Sequence, residues 1–565
     1  MTKMAKRSAV EGLKEVSRGL RGGLAEELAS GGTQVTEDGY NLLKFHGTYE
    51  QFDRDTATAL KQRGEEKEYS FMVRVRMPAG RLTAAQYLAL DDLAGRFANA
   101  TLRITTRQAI QFHGVLKENL RSTMAGIDAT LLTTLAACGD VVRNVMATPA
   151  PRRDAAHARL DADARMLSQA LLPRTRAYHE IFLGETPAED AGVEAEPLYG
   201  TAYLPRKFKI ALATPADNTV DVLANDLGFI ALFEGDRLLG YNVAIGGGLG
   251  MTHNRPDTYP RLATVIGFVG PDDLLRAAEA VIRLQRDHGD RGDRKRARLK
   301  YVIDDRGLPW VQRTLAGYFG AQLAPPRAMP EFVVPDLLGW HEQGDGRLWL
   351  GLPVPSGRIA DAAGTRLRSA LREIMTRFGA DPIMTPQQDV LLSNIRPTDR
   401  AAIEALLHAH RVTLAGELKP LARWALACPA LPTCGLALTE AERVRAPIVA
   451  GLLAVMDRHG LADEKISLRI TGCPNGCARS YAGEIGLVGR VPGAYAVYVG
   501  GDFEGTRLSF KLLERVREAE LPAALEPLFA AFAADRRRGE AFGAFCNRLG
   551  RDGLLALLPE VRNAA

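Results

Sequence analysis

Two distant stretches of the chain alternate hydrophobic and polar residues in the manner of a β-strand. They are residues 71–82 and 348–359, and each ends in a turn rich in proline and glycine. A helix-like stretch follows each of them, and then a second strand pattern, at residues 104–112 in the first copy and 384–392 in the second. Strand, helix and strand therefore occur twice, which predicts two α/β halves related by an internal pseudo-twofold axis.

Length and composition extend this picture to several domains. The chain has 565 residues, of which 46% are hydrophobic, and a chain of this length is too long for a single core. Its apolar runs, such as residues 451–456, are far shorter than the roughly 20 residues that a membrane span needs. We therefore predict a globular, cytoplasmic protein that is not embedded in a membrane. The net charge of +5 suits an anionic ligand or an acidic partner, but it is too small to indicate nucleic-acid binding.

Four of the six cysteines form two pairs on loops rich in proline and glycine. Cys428 and Cys434 are separated by five residues, and Cys473 and Cys477 by three, on backbone that cannot be a regular helix or a central strand. Four thiols match the four irons of a 4Fe–4S cluster, whereas five intervening residues is a loose spacing for a zinc site. An iron–sulfur cluster is therefore the favoured interpretation, and a zinc site is the alternative.

The other two cysteines, Cys138 and Cys546, are predicted to be free thiols. Disulfides are disfavoured because the sequence shows no secretory signal peptide and is not dense in cysteine.

Basic residues recur at every second position of several predicted strands. Alternation puts residues two apart on the same side of a strand, so each such set is expected to share a face. The sets are Arg74 and Arg76, then Arg103, Thr105 and Arg107, then Lys207 and Lys209, with Arg143 added from a neighbouring segment. Any single pair fits a solvated strand equally well, but cations grouped without counter-charges repel one another, so together they predict a cavity that holds an anion. The second copy of the repeat has lost the arginines of the first.

These motifs resemble those of the siroheme-containing sulfite and nitrite reductase superfamily, and within it the sulfite reductase hemoproteins. The resemblance covers nearly the whole chain. It is carried by both cysteine loops and by residues 17–22, 43–47, 74–76, 106–108, 143–145, 206–209 and 246–250. It implies an α+β fold of two ferredoxin-like halves and two further α+β domains, with the cofactors at the domain junction.

The resemblance implies two cofactors, a siroheme and a 4Fe–4S cluster. All four cysteines of the two loops would hold the cluster, and the thiolate of Cys477 would also bridge to the siroheme iron. Siroheme carries eight carboxylates, which require many cationic and amide partners. The residues that we place around it are Arg74, Arg76, Arg103, Arg107, Gln111, His113, Arg143, Lys207, Lys209 and Asn475.

The substrate implied by the resemblance is sulfite, which is reduced to sulfide by six electrons. One arginine of the Arg74 and Arg76 pair would bind the sulfite anion together with Arg143, Lys207 and Lys209. We expect Arg76, although the strand pattern does not choose between the two. Crowding by other cations lowers the pKa of a lysine, so both lysines are also candidate general acids. The alternatives are a ferredoxin-type nitrite reductase of the same superfamily, and a non-catalytic iron–sulfur electron carrier or zinc-stabilised structural protein.

The electrons must come from a second protein, because no flavin or nicotinamide motif is visible. Residues 17–55 look more like the hemoproteins that dock on an NADPH-dependent flavoprotein reductase than like the ferredoxin-dependent type. The glycine loop at residues 246–250 lacks the G-x-G-x-x-G spacing of a nucleotide site. We interpret it as a close approach of the backbone to the tetrapyrrole.

The domain boundaries follow from these assignments. The predicted segments are an N-terminal extended arm at 1–65, a first ferredoxin-like half at 66–145, a siroheme-binding α+β domain at 146–335, a second ferredoxin-like half at 336–422, and a 4Fe–4S and siroheme-binding α+β domain at 423–565.

Three local features complete the predictions. The basic run at residues 291–298 is expected to be a solvated face. A capping-box pattern at 439–442 and an apolar stripe over 444–455 predict a core helix. A thioether between Tyr69 and Cys138 near the active site is a further hypothesis.

Overall fold

The computed structural model describes residues 7–185, 196–362 and 364–559. Helices and strands are mixed throughout, as an α+β fold requires. The helices are α1 Ala9–Val16, α2 Leu24–Ala29, α3 Glu37–Leu43, α4 Ala57–Gln62, α5 Ala84–Phe97, α6 Leu120–Asp128, α7 Ala155–Ala170, α8 Leu274–His288, α9 Leu299–Arg306, α10 Leu308–Phe319, α11 Leu367–Phe378, α12 Arg400–Ala409, α13 Pro420–Arg423, α14 Arg445–Arg458, α15 Leu521–Asp535 and α16 Phe542–Leu555. The strands are β1 Thr48–Phe52, β2 Tyr69–Arg74, β3 Leu102–Ile104, β4 Ile110–Val115, β5 Met146–Ala147, β6 Ile210–Ala213, β7 Leu227–Glu234, β8 Arg237–Ile245, β9 Thr264–Val269, β10 Gly339–Glu342, β11 Leu348–Leu352, β12 Arg358–Ile359, β13 Asp361–Ala362, β14 Thr365–Arg366, β15 Asp381–Met384, β16 Val390–Ile395, β17 Ala425–Ala427, β18 Leu468–Thr471, β19 Ile485–Val491, β20 Ala494–Val499 and β21 Phe510–Arg517.

The chain divides into two compact units, and neither is continuous in sequence. The first unit is drawn from residues up to 53 and from 66–248 and 263–413, and the second from 54–65, 249–262 and the residues from 414 onward. Two short segments therefore leave their sequence neighbours and fold with the C-terminal cysteine loops. The five predicted segments are each continuous in sequence, so they do not include this transfer of residues 54–65 and 249–262 to the second unit.

The first unit contains the predicted repeat as two sets of elements in the same order. In the first copy β2 is followed by α5, β3, β4 and α6. In the second copy β11 is followed, after three short strands, by α11, β15, β16 and α12. The sheet orders are β1-β2-β4-β3-β12 and β10-β11-β16-β15, and a third sheet of the same unit has the order β5-β6-β7-β8-β9. Strand β12 belongs to the second copy by sequence, yet it pairs with β3 of the first.

Each copy closes its first turn against the backbone of the other. Gly80 and Gly357, in the turns after β2 and β11, have the same positive φ of 73°. A β-carbon at Gly80 would lie 2.2 Å from the carbonyl oxygen of Met384, and one at Gly357 would lie 2.2 Å from that of Ile104. Only glycine fits these two positions. The pseudo-twofold relation predicted from the sequence is thus a reciprocal contact in the fold.

A glutamine of each copy repeats the same side-chain contact. Gln108 donates from Nε2 to the carbonyl oxygen of Ala79 at 3.1 Å, and Gln388 donates from Nε2 to that of Ser356 at 3.1 Å. Both bonds tie the hairpin between the last two strands of a copy to that copy's own first turn.

The N-terminal segment is helical and not the extended arm that the sequence analysis predicts. It forms α1 to α4 and one strand, β1, which pairs antiparallel with β2 at the edge of the first sheet. Leu24 and Leu28 are buried on α2, and Leu42 and Leu43 are buried at the end of α3. These apolar side chains pack into the first unit, which gives the segment a reason to be helical.

The second unit is built on the sheet β17-β18-β19-β20-β21. Strands β17, β18 and β19 pair in parallel, whereas β20 pairs antiparallel with both β19 and β21. Its core helix α14 buries Ile448, Leu452 and Val455, as the apolar stripe predicts. The helix begins at Arg445 and not at the predicted capping box, because Thr439 instead accepts a hydrogen bond from the backbone of Gly493 at 2.9 Å. Within the described ranges, no helix has the length and apolar character needed to cross a membrane.

Candidate functional site

The two cysteine loops leave neighbouring parallel strands of the second unit. Cys428 directly follows β17, and Cys473 comes two residues after the end of β18. Because β17 and β18 are parallel, their carboxyl ends meet at the same edge of the sheet. The backbone N–H of Cys428 donates to Ile470 at 3.1 Å, and the N–H of Gly472 donates to the Cys428 sulfur at 3.3 Å. The fold therefore brings the two pairs of thiols together.

The thiols affect one another electrostatically. Burial raises the pKa of the Cys428 thiol well above its ordinary value, and the neighbouring Cys477 raises it further. Burial likewise raises the pKa of Cys473 to about 12, again with a contribution from Cys477. Burial and Cys477 also raise the pKa of Cys434. Thiols that resist ionisation in this way become thiolates when a cationic metal core offsets their charge.

The donor set fits a cluster. Four cysteines on loops at one edge of the sheet match a 4Fe–4S cluster, which gives each of four cysteines its own iron atom. The amide of Asn475 donates from Nδ2 to the Cys473 sulfur at 3.3 Å, which places this predicted residue beside the thiols. N–H groups aimed at sulfur are a usual means of stabilising an iron–sulfur cluster.

Four strands of the first unit carry a row of cationic and polar residues. Arg74 on β2 lies opposite Gln111 on β4, Gln111 lies opposite Arg103 on β3, and Arg103 lies opposite Arg358 on β12. Residues opposite one another across strands point to the same face of a sheet, and His113 joins that face two positions after Gln111. Four members of the row were predicted from the sequence: Arg74, Arg103, Gln111 and His113. Arg358 was not predicted, because the cations were expected in the first copy alone.

This row contains buried polar atoms that have no hydrogen-bond partner among the described residues. They are Nε of Arg74, Oε1 of Gln111 and both ring nitrogens of His113. Burying a polar group without a partner costs about 1–3 kcal/mol. Burial also lowers the pKa of His113 well below its ordinary value, and the charges of Arg358, Arg103 and Arg74 lower it further. A polyanionic ligand such as siroheme would satisfy the donors and offset the crowded charge.

Arg76 has surroundings of a different kind. Strand β2 ends at Arg74, and the backbone of Arg76 pairs with Thr133 in an isolated bridge. Its guanidinium donates to the carbonyl oxygens of Ala136 and Val142 at 3.1 and 2.9 Å, and to the hydroxyl and carbonyl oxygens of Ser168 at 2.9 and 3.0 Å. Four of its five N–H groups are therefore used within the protein. The expectation that Arg74 and Arg76 share one site does not match these contacts.

Arg107 lies in the turn between β3 and β4 and not on the predicted strand with Arg103. Its guanidinium donates to Oδ1 of Asn225 at 2.8 Å and to the carbonyl oxygen of Asn144 at 2.5 Å. Its Nε is buried and has no hydrogen-bond partner in residues 7–185, 196–362 and 364–559. Burial and the nearby Arg143 lower the pKa of Arg107 to about 9. This turn therefore supplies a further cation to the same unit.

A parallel bridge between Val142 and Phe208 brings the remaining predicted residues together. The backbone N–H of Arg143 donates to Phe208 at 2.9 Å, and Phe208 stands between Lys207 and Lys209 in the sequence. Burial lowers the pKa of Lys209 well below its ordinary value, and the charges of Arg107 and Lys207 lower it further. These basic residues carry like charges, and a bound anion would relieve the repulsion among them.

The comparisons with known proteins agree with this geometry. The model "Nitrite/Sulfite reductase ferredoxin-like half domain" matches residues 63–130 and 341–410, and "Nitrite and sulphite reductase 4Fe-4S domain" matches residues 138–323. A sulfite reductase (NADPH) hemoprotein beta-component from Myxococcus xanthus is 49% identical over 546 residues, which cover 96% of this chain and 96% of the relative. The protein of the same name from Xanthomonas campestris pv. campestris is 49% identical over 556 residues, covering 98% and 97%. The chain belongs to the sulfite reductase hemoprotein family.

A solved structure extends the likeness to three dimensions. The Mycobacterium tuberculosis NirA protein has a TM-score of 0.80 and 25% identity over 97% of both chains. The predicted family, enzyme class and α+β fold of repeated ferredoxin-like halves are thereby confirmed for this sulfite reductase hemoprotein family member. The four cysteines lie outside the matched regions of both family models, so their role rests on the geometry above.

In this family member the basic run at residues 291–298 is not the predicted solvated face. Arg298 is buried and donates from Nε to Asp226 at 2.8 Å, and Arg294 donates from Nη2 to the buried Asp140 at 2.7 Å. Just after the run, Lys300 donates to the carbonyl oxygen of Gly248 at 2.9 Å, and burial lowers its pKa to about 6. A basic run alone gives no sign of carboxylates that are distant in sequence, so these contacts could not be predicted.

The glycine loop at residues 246–250 follows the protein's own chain closely. A β-carbon at Gly247 would lie 2.1 Å from the carbonyl oxygen of Leu223, and one at Gly248 would lie 2.7 Å from Nη2 of Arg298. The close neighbours of these two glycines are therefore protein atoms, and an approach of the loop to a tetrapyrrole stays a prediction.

The tyrosine beside Cys138 is Tyr49 and not the predicted Tyr69. Arg143 donates from Nη2 to the Tyr49 hydroxyl at 3.3 Å. Burial raises the pKa of Tyr49, Arg143 opposes that rise and Cys138 adds to it, which places all three groups close together. Tyr69 instead packs its ring against Phe52, with centroids 5.9 Å apart.

Proposed function

We propose that this chain reduces sulfite to sulfide with six electrons, using a siroheme and a 4Fe–4S cluster. The observation that carries the proposal is the row of Arg74, Gln111, Arg103 and His113, in which Nε of Arg74, Oε1 of Gln111 and both ring nitrogens of His113 are buried without hydrogen-bond partners in the described ranges. Such a row calls for a polyanion, and the four grouped cysteines call for iron and sulfide. The relatives of similar length that carry the name sulfite reductase hemoprotein support the same function.

The cofactor-holding residues follow from these positions. When bound, the cluster and the siroheme supply the electrons and the iron atom at which the substrate is reduced. Cys428, Cys434, Cys473 and Cys477 are proposed as ligands of the cluster, with Cys477 also serving the siroheme iron. The residues proposed to hold the siroheme are Arg74, Arg103, Arg107, Gln111, His113 and Asn475, to which we add Arg358.

The sulfite anion is proposed to bind Arg143, Lys207 and Lys209 together with Arg74. Arg74 replaces Arg76 in this role, because its Nε is buried without a partner in the part of the chain that is described. The guanidinium of Arg76 instead donates to the hydroxyl and carbonyl oxygens of Ser168 and to the carbonyl oxygens of Ala136 and Val142. Arg76 supports the loop that carries Arg143, since it donates to the adjacent Val142.

Protons for the departing oxygen atoms are proposed to come from Lys209, with Lys207 beside it. A lysine whose pKa is lowered by burial and by neighbouring cations releases its proton more readily than an exposed lysine. An anion held beside it raises that pKa again, so binding of sulfite charges the lysine and prepares it to donate.

The electron donor is proposed to be a flavoprotein reductase that uses NADPH. The support is the printed name of the Myxococcus and Xanthomonas relatives, which specifies NADPH. A cytoplasmic location stays a prediction.

An anaerobic preparation of the full chain tests the proposal. The visible spectrum, the iron content and the acid-labile sulfide content are measured on the same sample, and sulfide production from sulfite is followed with reduced methyl viologen as donor. We expect a tetrapyrrole spectrum and about four irons and four sulfides per cluster. A colourless protein, or one that contains zinc and no labile sulfide, would contradict the proposal.

Nitrite is the alternative substrate, and the two matched family models, whose descriptions include nitrite reductases, give it a specific basis. The ratio of kcat/KM for sulfite and for nitrite, measured with the same donor, separates the two. A sulfite reductase should release sulfide as its sole sulfur product, whereas turnover with nitrite alone would assign the chain to the nitrite branch.

A further inference from the structure

The segment at residues 54–65 lies far from the cysteine loops in sequence but folds with them in the second unit. Its first residue, Arg54, contacts the first cysteine loop through both backbone and side chain. The backbone N–H of Arg54 donates to Pro432 at 3.1 Å. Its Nη1 lies 3.3 Å from the carbonyl oxygen of Cys434, 3.4 Å from that of Gly435 and 3.5 Å from that of Ala437. Arg54 thus contacts four carbonyl oxygens of the loop that presents Cys434.

Arg54 also places a positive charge beside the loop that presents Cys434, since its Nη1 lies within 3.5 Å of three carbonyl oxygens of that loop. A guanidinium is always charged in proteins and its fork of N–H groups suits several acceptors at once. Arg54 is therefore a fixed positive charge held against the backbone of a predicted cluster ligand.

The neighbouring residue anchors the same segment at a second point. Asp55 accepts from Nη1 and Nη2 of Arg443 at 2.6 and 3.2 Å, and Arg443 also pairs with Glu440. This ion pair is exposed, so it contributes little to stability. It nevertheless fixes the start of the segment beside the loop, so that the position of Arg54 does not depend on its own side-chain contacts alone.

We propose that Arg54 is a positioning residue for electron transfer, which orders the Cys434 loop and favours the reduced form of the cluster. This inference rests on the proposed function, since it requires a cluster on the four cysteines. Reduction adds one electron, delivered singly by a reduced flavin or by a chemical reductant such as dithionite, and breaks no bond. The added negative charge is stabilised by a nearby cation, and the potentials of iron–sulfur clusters respond to local charge and hydrogen bonds.

The test compares three variants of the full chain with cofactors bound. Arg54→Gln removes the charge, Arg54→Lys keeps it, and Arg63→Gln removes an exposed charge of the same segment that pairs with Glu65. The midpoint potential of the cluster is measured by a redox titration monitored by electron paramagnetic resonance. Iron and acid-labile sulfide are counted in each sample.

We expect Arg54→Gln to lower the midpoint potential, with each tenfold loss in the reduction equilibrium equal to about 59 mV for one electron. Arg54→Lys and Arg63→Gln should stay close to the wild type. Equal potentials for Arg54→Gln and Arg63→Gln would overturn the inference. If Arg54→Gln fails to assemble a cluster, the inference requires that Arg54→Lys assembles one at the wild-type potential, and failure of Arg54→Lys overturns it. A wild-type protein without a cluster would instead overturn the proposed function.

Discussion

The two copies of the repeat align the same three positions side by side and fill them with opposite chemistry. In the first copy the positions are Arg74, Gln111 and Arg103, on β2, β4 and β3. All three are polar, and Gln111 and Arg103 are buried. This row therefore depends on a ligand to complete its hydrogen bonds.

In the second copy the same register brings together Gly351, Leu391 and Ile383, on β11, β16 and β15. Leu391 and Ile383 are buried and apolar, and a β-carbon at Gly351 would lie 1.9 Å from the carbonyl oxygen of Leu337. Here the protein itself fills the space. The two copies thus share a backbone register, and their side chains alone make one copy the proposed binding site and the other a packed core.

The largest expected effect comes from Cys477→Ser, which tests whether the first copy works only with its cofactors. If this sulfur serves both the cluster and the siroheme iron, the variant should lose both cofactors and all measurable sulfide production. Iron content, labile sulfide and the visible spectrum report the loss. Cys546→Ser, at a buried cysteine outside the two loops, is the control and should retain both cofactors. Retention of a normal spectrum by Cys477→Ser would remove this residue from the site.

Arg74→Gln tests the polar row directly. The variant keeps a side chain with amide donors but loses the charge, so kcat/KM for sulfite should fall about 10²- to 10³-fold, as when one preorganised donor is removed from an active site. The free energy of unfolding should change little, because Arg74 is only half-buried. Unchanged kcat/KM would show that the unpartnered Nε of Arg74 has no role in binding.

Lys209→Met tests the proposed proton donor. Loss of a general acid lowers turnover by about 10²-fold or more. Since the pKa of Lys209 is lowered in the free protein, wild-type kcat/KM should decline with rising pH at values below those of an ordinary lysine, as the ammonium group loses its proton. The variant should lack this decline. A pH profile of kcat/KM that is parallel in wild type and variant would contradict the assignment.

Arg76→Ala separates support of the site from participation in it. The change leaves the carbonyl oxygens of Ala136 and Val142 buried without a donor, and each such group costs about 1–3 kcal/mol. The free energy of unfolding should therefore fall by about 3 kcal/mol or more in denaturant titrations. Arg76→Lys should recover part of the stability. A variant as stable as the wild type that has lost sulfite binding would restore Arg76 to the substrate site.

Ile383→Val has the smallest expected effect and is the matched change in the second copy. Ile383 occupies the position that Arg103 holds in the first copy, but it is enclosed by apolar neighbours. Removing one methylene should lower the free energy of unfolding by about 0.5–1.5 kcal/mol and leave kcat/KM unchanged. A specific loss of turnover in this variant would show that the second copy is not a mere packed core.

Local chemistry decided which parts of the site the sequence could predict. The cysteine loops, Arg74 and Arg103 could be singled out because their residue types recur at short, regular spacings, whereas Gln111 and His113 came from the family resemblance. Arg358 and Arg54 were not predicted, because each meets its neighbours from a segment that is distant in sequence. Arg358 lies opposite Arg103, and Arg54 contacts the Cys434 loop. The alternation of residues also gave a wrong prediction at Arg76, which was expected to share a strand face with Arg74. Alternation does not show where a strand ends, and β2 ends two residues before Arg76.

The fold was predicted in its repeats but not in its exchanges between segments. The order of strand, helix and strand is visible in the hydrophobic pattern, and both copies have it. The transfer of residues 54–65 and 249–262 to the second unit leaves no such signal, because short segments take their partners from long-range contacts. The helices near the N-terminus were missed for the same reason.

The reciprocal fit of Gly80 under Met384 and of Gly357 under Ile104 has a consequence for how such a chain arises. Either half produced alone would leave its turn without a cover and its strand backbone open to solvent. Two identical halves would cover each other across a dyad in the same way, so joining two copies of one half end to end creates no new interface at these turns. After that fusion, each half is free to accumulate mutations on its own, provided that both glycines are kept.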